Sequence, residues 1–378
     1  ECGWESGAAQ DGKEPEKASA PASKEERRAM LEARTREVQA FIDRFLPLFQ
    51  TVSGDATLRY KVGNGFMIDF QKGIIHLDVK DFIALQEGGV DLWQIVWSVI
   101  HEIAHFRDLR EPPEAMLGHY RYMTNRAKEL APQALQIVRR VHGDEVADML
   151  ATPLPKAPND KGPEMSSMDV FVYKKLHLLY NSLDDMYVNV KVPEFVPVFK
   201  PSDPRGQSIK ELYRTYLFPA EGKKLARGAV SKGAKDGVVD YTKLPRCYQF
   251  AYALLRERMV PDERVQVLPE VAAKLNGYPN PGAQRLGLTT RTLVNTWTTP
   301  GKNGKTNHPK LKKVIPVEQD PGWRYARIRD EVEPSFVELL MKDVEALDPP
   351  NKGGGDDGSG GSGDWEELDG KPEHLDLP

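Results

Sequence analysis

The amino-acid sequence predicts an α+β protein in which a small mixed sheet is followed by a long series of helices. Three observations support this class: a helical pattern comes first, three short strand patterns follow it, and helical patterns fill the rest of the body. Strands and helices that occupy separate stretches of a chain are typical of α+β folds. Residues 1–24 and 349–378 contain few apolar side chains, so we expect both ends to be disordered.

The first elements of the body follow from the spacing of their apolar residues. Residues 23–49 place these residues at helical intervals and predict a helix. Residues 57–62 and 65–70 alternate as strands do, and the Gly-Asn pair between them predicts a hairpin turn. Residues 73–79 form a third strand pattern, which completes the predicted sheet.

The elements after the sheet are predicted to be helical. Asp91 caps a helix that runs to about Leu109, and the two prolines that follow stop it. Further helices are predicted at 114–130, 132–150, 168–190, 207–217, 246–258, 264–275 and 323–346. The body therefore divides into a core, residues 25–200, and a mostly helical C-terminal part, residues 201–348, which precedes a Gly-rich acidic tail.

Charge and composition exclude several classes of protein. The net charge is −4, and the tail from residue 351 carries eight acids against two lysines, which leaves +2 for the rest of the chain. Such a body offers no basic footprint for nucleic acid. The most apolar stretch, Leu92–Phe106, contains two His and a Glu and is too short to span a membrane. With only two cysteines, the chain is not a disulfide scaffold.

The start of the chain bears on the compartment. It contains no charged segment followed by an apolar one, as a secretory signal would, so a cytoplasmic location is favoured. The chain begins with Glu1 rather than Met. A processed or trimmed product that is secreted is therefore the alternative.

The central helix carries the residues that indicate chemistry. His101, Glu102 and His105 form the pattern HExxH, which is typical of zinc sites built on a helix. Four residues advance a helix by about 400°, so the two imidazoles lie on one face, separated by about 6 Å of rise. Both can then reach one Zn²⁺ through bonds of about 2.1 Å. Glu102 lies beside them, where it can accept a proton from a water that the metal has acidified.

Residues 30–195 resemble a zincin metallopeptidase, the class that is built around such a helix. The HExxH helix and the strand upstream of it carry the resemblance. It implies a zincin-like fold for residues 25–200, a zinc cofactor, and a protein or peptide substrate. Zincins bind the extended substrate along an edge strand, which would here be residues 73–79. A Tyr or His often stabilises the oxyanion in this class, and the eligible tyrosines are Tyr187, Tyr213, Tyr216, Tyr248 and Tyr252.

A catalytic zinc usually has three protein ligands and one water, so a third ligand is required. In gluzincin-like families an acidic residue on a later helix supplies it, and the resemblance indicates Asp184 or Asp185. Asp184 lies at the edge of the apolar stripe of its helix, next to the expected cleft, and we favour it. Asp185, in line with Asn181 and Asn189, is the alternative. The aspartate that does not bind zinc could orient a histidine.

Three other residues near the motif are weaker candidates. Asp108 shares the face of His101 but lies about 10.5 Å along the helix, so a supporting or surface role suits it better. Glu111 stands six residues after His105, where metzincins place their third ligand, but Asp108 replaces the glycine turn which that group needs. His119 is a further alternative.

The sequence therefore predicts a zinc-dependent peptidase in which His101, His105 and Asp184 hold the metal and Glu102 is the general base. Two functional alternatives stay open: a non-catalytic zincin-fold module that binds a partner, and a zinc hydrolase of a non-peptide amide. The intact Glu102 favours catalysis, because a binding module has no need of that carboxylate. The alternative without a metal site is an amphipathic helix whose two histidines lie on the same face by chance.

Overall fold

The computed structural model describes residues 24–63, 67–69, 72–78, 82, 91–109, 113–155, 162–214, 237–298 and 321–347. These residues form a mixed α+β fold that is mostly helical and has a small sheet near its N-terminal end, as the sequence predicts. Apart from Lys24, the ends that we expect to be disordered lie outside the described residues.

The helices follow one another along most of the chain. They are α1 (Lys24–Ser53), α2 (Leu92–Leu109), α3 (Pro113–His142), α4 (Asp144–Ala151), α5 (Ser167–Phe195), α6 (Pro204–Leu212), α7 (Arg246–Met259), α8 (Pro269–Asn276), α9 (Pro281–Leu286), α10 (Thr290–Trp297), α11 (Pro321–Glu331) and α12 (Glu333–Glu345). A short 3₁₀ helix, Pro197–Phe199, follows α5.

Side-chain caps fix the starts of the two central helices. At α2, the Asp91 carboxylate accepts a hydrogen bond from the Trp93 backbone N–H at 2.7 Å. At α5, Ser166 and Asp169 form a capping box, in which each side chain accepts from the backbone N–H of the other. Such caps satisfy backbone donors that have no partner within the helix. The caps therefore stabilise the starts of α2 and α5.

Three of the predicted helices have wrong boundaries. The helix predicted at 264–275 begins only at Pro269, because Arg264–Gln266 is a strand, and the helix predicted at 323–346 is divided into α11 and α12. The third concerns the residues before Pro132. We expected a break before Pro132, but α3 continues through Pro132 and ends at His142. Gly143 separates α3 from α4, with a backbone φ of 90°. Glycine adopts this left-handed conformation without the steric cost that a Cβ imposes. The turn is therefore at the glycine, ten or so residues later than the proline suggested.

Five strands among the described residues form two small sheets. β1 (Arg59–Gly63) and β3 (Ile74–Asp78) pair in parallel, and β2 (Met67–Asp69) pairs antiparallel with β3. The spatial order is therefore β1-β3-β2. β4 (Val238–Asp240) and β5 (Arg264–Gln266) form a separate parallel pair. The predicted hairpin between the first two strands is wrong, because β3 lies between them.

The position of β3 also corrects the expected substrate strand. We predicted that residues 73–79 would be an edge strand, but β3 is paired on both sides and is central. Its backbone donors and acceptors are directed towards β1 and β2, so they cannot bind an added strand. Among the described strands of this sheet, β1 and β2 form the edges.

The core surrounds α2 and α5. The buried residues of α2 include Ile95, Val99 and Ile103, none of which is exposed. α5 is buried on nearly every side and contacts α2, α3, α7, α11 and α12. Burying one such apolar side chain contributes about 1.5–3 kcal/mol. In the part of the chain that the structure describes, no helix has the apolar length that crossing a bilayer would need.

Candidate metal centre

Two packed helices bring the histidines of the HExxH pattern to an aspartate. α2 carries His101 and His105, whose Nε2 atoms are 3.1 Å apart. α5 packs against α2 and carries Asp185, whose Oδ1 lies 3.0 Å from His105 Nε2. The same oxygen lies 3.3 Å from His101 Nε2. The three side chains thus present a triangle of ligand atoms.

This triangle has the size that one Zn²⁺ requires. Tetrahedral zinc with bonds of about 2.0–2.1 Å holds its ligand atoms about 3.3 Å from one another. The observed separations run from 3.0 to 3.3 Å. Two imidazoles and one carboxylate are also a donor set of catalytic zinc sites. Among the residues that the structure describes, only His101, His105 and Asp185 form a group with metal-ligand spacing.

Asn189 orients the first histidine from the next turn of α5. His101 Nδ1 lies 2.8 Å from Asn189 Oδ1, while Asn189 Nδ2 donates to the hydroxyl of Tyr213. Because the amide nitrogen faces Tyr213, its oxygen faces His101, and His101 Nδ1 carries the hydrogen. The lone pair of His101 is then on Nε2, where a metal ligand needs it. The Trp97 ring also packs against the His101 imidazole, with ring centroids 5.3 Å apart.

Asp184 supports the second histidine. Its Oδ2 lies 3.6 Å from His105 Nδ1, on the side of the ring opposite the ligand atom. Asp184 is only 4% exposed. Its charge is balanced by the Arg324 guanidinium of α11, whose Nη2 lies 2.9 Å from Asp184 Oδ1. Burial by itself would raise the pKa of Asp184, but the Arg324 charge and the nearby His105 imidazole lower it below its usual range.

The electrostatic environment shifts the pKa values of Asp185 and Glu102 in opposite directions. Burial would raise the pKa of Asp185, but its bonds to His101 and His105 outweigh this and lower the pKa to about 2. Burial raises the pKa of Glu102, and the nearby imidazoles offset this only in part. The Asp185 carboxyl is thus held ionised, whereas burial favours the protonated form of Glu102.

Glu102 lies beside the triangle of ligand atoms. Its side chain is half-buried, next to the charges of His101, His105 and Asp185. Within the described residues, the Glu102 carboxylate forms neither a hydrogen bond nor an ion pair. A half-buried carboxylate without a protein partner leaves its oxygens available to a water or a substrate.

The geometry reverses the preference between the two neighbouring aspartates. Asp185, our alternative, faces both Nε2 atoms, whereas Asp184, our first choice, faces His105 Nδ1 and Arg324. We had placed the cleft beside the single apolar stripe of this helix. α5 is buried on nearly every side, so no single stripe marks the cleft. The supporting role that we assigned to whichever aspartate is not the ligand fits Asp184.

The structure brings neither Asp108 nor His119 to the triangle. Asp108 forms an ion pair with Arg324 instead. His119 is buried and stacks on the Tyr325 ring, with centroids 3.8 Å apart. Glu111 lies outside the described residues. Of the tyrosines considered for an oxyanion, Tyr213 contacts Asn189, and Tyr216 lies outside the described residues.

Two supporting residues were missed by the sequence interpretation. Asn189 lies one turn after Asp185 on the same face of α5, and this alignment was the signal that could have identified it. Arg324 has no such signal, because 140 residues separate it from Asp184. Long-range pairs of this kind appear only when the helices are packed.

Comparisons of the chain with protein-family models, curated proteins and solved structures find no match. The resemblance to zincins therefore rests on the sequence of the HExxH helix and the strand upstream of it, and it stays a prediction.

Proposed function

We propose that this protein is a zinc-dependent hydrolase that cleaves peptide bonds. The observation that carries the proposal is the triangle of His101 Nε2, His105 Nε2 and Asp185 Oδ1, with edges of 3.0 to 3.3 Å. Glu102 lies next to it, half-buried and without a hydrogen-bond or ion-pair partner among the described residues. This combination of three metal ligands and an adjacent base is typical of zinc hydrolysis.

In this proposal, some residues of the site bind the metal ion and another transfers a proton. When bound, Zn²⁺ supplies a Lewis acid that makes water more acidic and polarises a carbonyl group. His101, His105 and Asp185 would hold the ion, and Asn189 and Asp184 keep the two imidazoles in the required tautomer and orientation.

Glu102 would act first as the general base and then as the general acid for the proton of the attacking water. It accepts that proton as the water oxygen bonds to the carbonyl carbon of the substrate. When the carbon–nitrogen bond breaks, Glu102 returns the proton to the leaving nitrogen. Its pKa, raised by burial, favours this exchange, because an acid closer to neutrality both takes and gives a proton readily.

The substrate class follows from the zincin resemblance, which implies a protein or peptide. A non-catalytic module would not need a base at this position. The Glu102 carboxylate has no hydrogen-bond or ion-pair partner among the described residues, and this supports catalysis over binding alone. A non-peptide amide would use the same residues and is distinguished by the substrate that is cleaved.

The variant Glu102→Gln tests the chemistry. It keeps the shape of the side chain but cannot take a proton, so zinc content should be retained while cleavage of an unfolded protein falls at least about 100-fold. Cleavage is followed by mass spectrometry of the fragments, and zinc by elemental analysis. The matched control is Glu129→Gln, which changes an exposed glutamate on α3. This variant should cleave the substrate at the wild-type rate. Undiminished cleavage by Glu102→Gln would show that Glu102 is not the base.

A further inference from the structure

A buried arginine from the C-terminal part of the chain connects the two helices that carry the metal triangle. Arg324, on α11, is only 2% exposed. Its guanidinium pairs with Asp108 of α2 and with Asp184 of α5. The contact to Asp184 Oδ1 uses two nitrogens, Nη2 at 2.9 Å and Nε at 3.2 Å. We call this group, Asp108, Arg324 and Asp184, the arginine bridge. It connects α2 to α5 next to the metal triangle.

We propose that Arg324 is a positioning residue of the metal centre, which acts on His105 through Asp184. The proposal rests on the metal site of the proposed function, and it extends that site to residues of α11. No part of the sequence pattern around His101 and His105 indicates this role.

The two oxygens of the Asp184 carboxylate have different partners, and this explains how Arg324 would act. Arg324 occupies Oδ1, so Oδ2 is directed to His105 Nδ1, 3.6 Å away. The hydroxyl of Tyr325 also donates to Oδ2, at 3.3 Å. A carboxylate held from both sides keeps its negative charge beside His105 Nδ1, which favours the hydrogen on Nδ1 and leaves the lone pair on Nε2 for the metal.

The arginine itself has little freedom to move. Its guanidinium lies 3.9 Å from the centre of the Tyr187 ring, which packs against its face. The planar fork of an arginine can bind two carboxylates at once, whereas a lysine presents a single point charge. A bridge of this kind also fixes the distance between α2 and α5, and hence the distance between the histidines and Asp185.

Zinc affinity of the full-length chain tests the proposal without relying on activity. The dissociation constant is measured by competition with a chromophoric chelator. Arg324→Gln should weaken zinc binding at least about tenfold, the lower end of the range for residues that orient metal ligands. Arg329→Gln removes an exposed arginine of the same helix and should change the affinity less than about twofold. A folded Arg324→Gln variant with wild-type affinity would overturn the proposal.

A double-mutant cycle tests whether the effect passes through Asp184. In an Asp184→Asn background, Arg324→Gln should change zinc affinity by less than about twofold, since the carboxylate that it positions is gone. If Arg324→Gln weakens zinc equally in both backgrounds, Arg324 does not act through Asp184 and the proposal fails.

A second substitution keeps the test decisive if Arg324→Gln does not fold. Arg324→Lys retains a positive charge beside the two aspartates, so circular dichroism should show a native fold. Because lysine cannot hold both carboxylates in the same geometry, zinc binding should still weaken at least about threefold. Unchanged affinity in this variant would contradict the proposal.

The outcomes also separate this proposal from the proposed function. A wild-type chain that binds no zinc would overturn both. Zinc binding that depends on Arg324, without any hydrolysis, would support the positioning role and contradict the hydrolase alone.

Discussion

Asp184 and Asp185 are neighbours in sequence, yet their carboxylates contact opposite nitrogens of one imidazole. Asp185 Oδ1 lies 3.0 Å from His105 Nε2, and Asp184 Oδ2 lies 3.6 Å from His105 Nδ1. The pair therefore suits one ligand and one supporting carboxylate, with His105 between them. This arrangement gives the two aspartates different expected phenotypes.

Replacing each aspartate by alanine should separate these roles. Asp185→Ala removes a proposed ligand and should weaken zinc binding by more than about 100-fold, whereas Asp184→Ala should weaken it about tenfold. Asp148→Ala, at an exposed position on α4, is the control and should bind as the wild type does. Isothermal titration with Zn²⁺ measures all three variants. A larger loss for Asp184→Ala than for Asp185→Ala would reverse the assignment.

The support of His101 by Asn189 predicts a graded series. Asn189→Leu leaves His101 Nδ1 without its acceptor and should weaken zinc binding about tenfold. Asn189→Asp retains an oxygen acceptor and should bind zinc within about threefold of the wild type. Tyr213→Phe removes only the partner of the amide nitrogen and should have the smaller effect. Equal affinities for the leucine variant and the wild type would show that Asn189 does not orient His101.

A buried glutamate away from the metal centre predicts a loss of stability. Glu333, at the start of α12, is 1% exposed and accepts hydrogen bonds from Tyr122, Tyr180 and Arg126. Glu333→Ala leaves two hydroxyls and one partly exposed charge without this partner, so the free energy of unfolding should fall by about 2–4 kcal/mol.

Urea denaturation measures that change, with Glu338→Ala as the control on the same helix. Glu338 is exposed and pairs only with Lys274 among its described contacts, so its loss should change the unfolding free energy by about 0.5 kcal/mol or less. Similar values for the two variants would mean that the Glu333 network contributes little to stability.

The HExxH helix could be predicted because its information is local. His101, Glu102 and His105 stand at fixed spacing within an apolar helical pattern, and α2 covers them as expected. The α+β class is confirmed for the same reason, since each helix and strand pattern lies within a short window. The identity of the later helix, α5, also followed from its own residues.

The features that the sequence could not predict depend on packing between distant segments. The hairpin prediction was wrong because β3, from further along the chain, pairs with both β1 and β2. The choice between Asp184 and Asp185 depends on which helices surround α5. The arginine bridge joins residues 140 or more positions apart. Local periodicity contains no information about such contacts.

The zinc content of the purified full-length protein tests the central claim most directly. Elemental analysis should find close to one Zn²⁺ per chain in the wild type, because the triangle of His101, His105 and Asp185 has room for one ion. The double variant His101→Ala/His105→Ala removes two of the three ligands while circular dichroism checks the fold, and its zinc content should fall to background. One zinc per chain in the folded double variant would contradict the proposed metal centre.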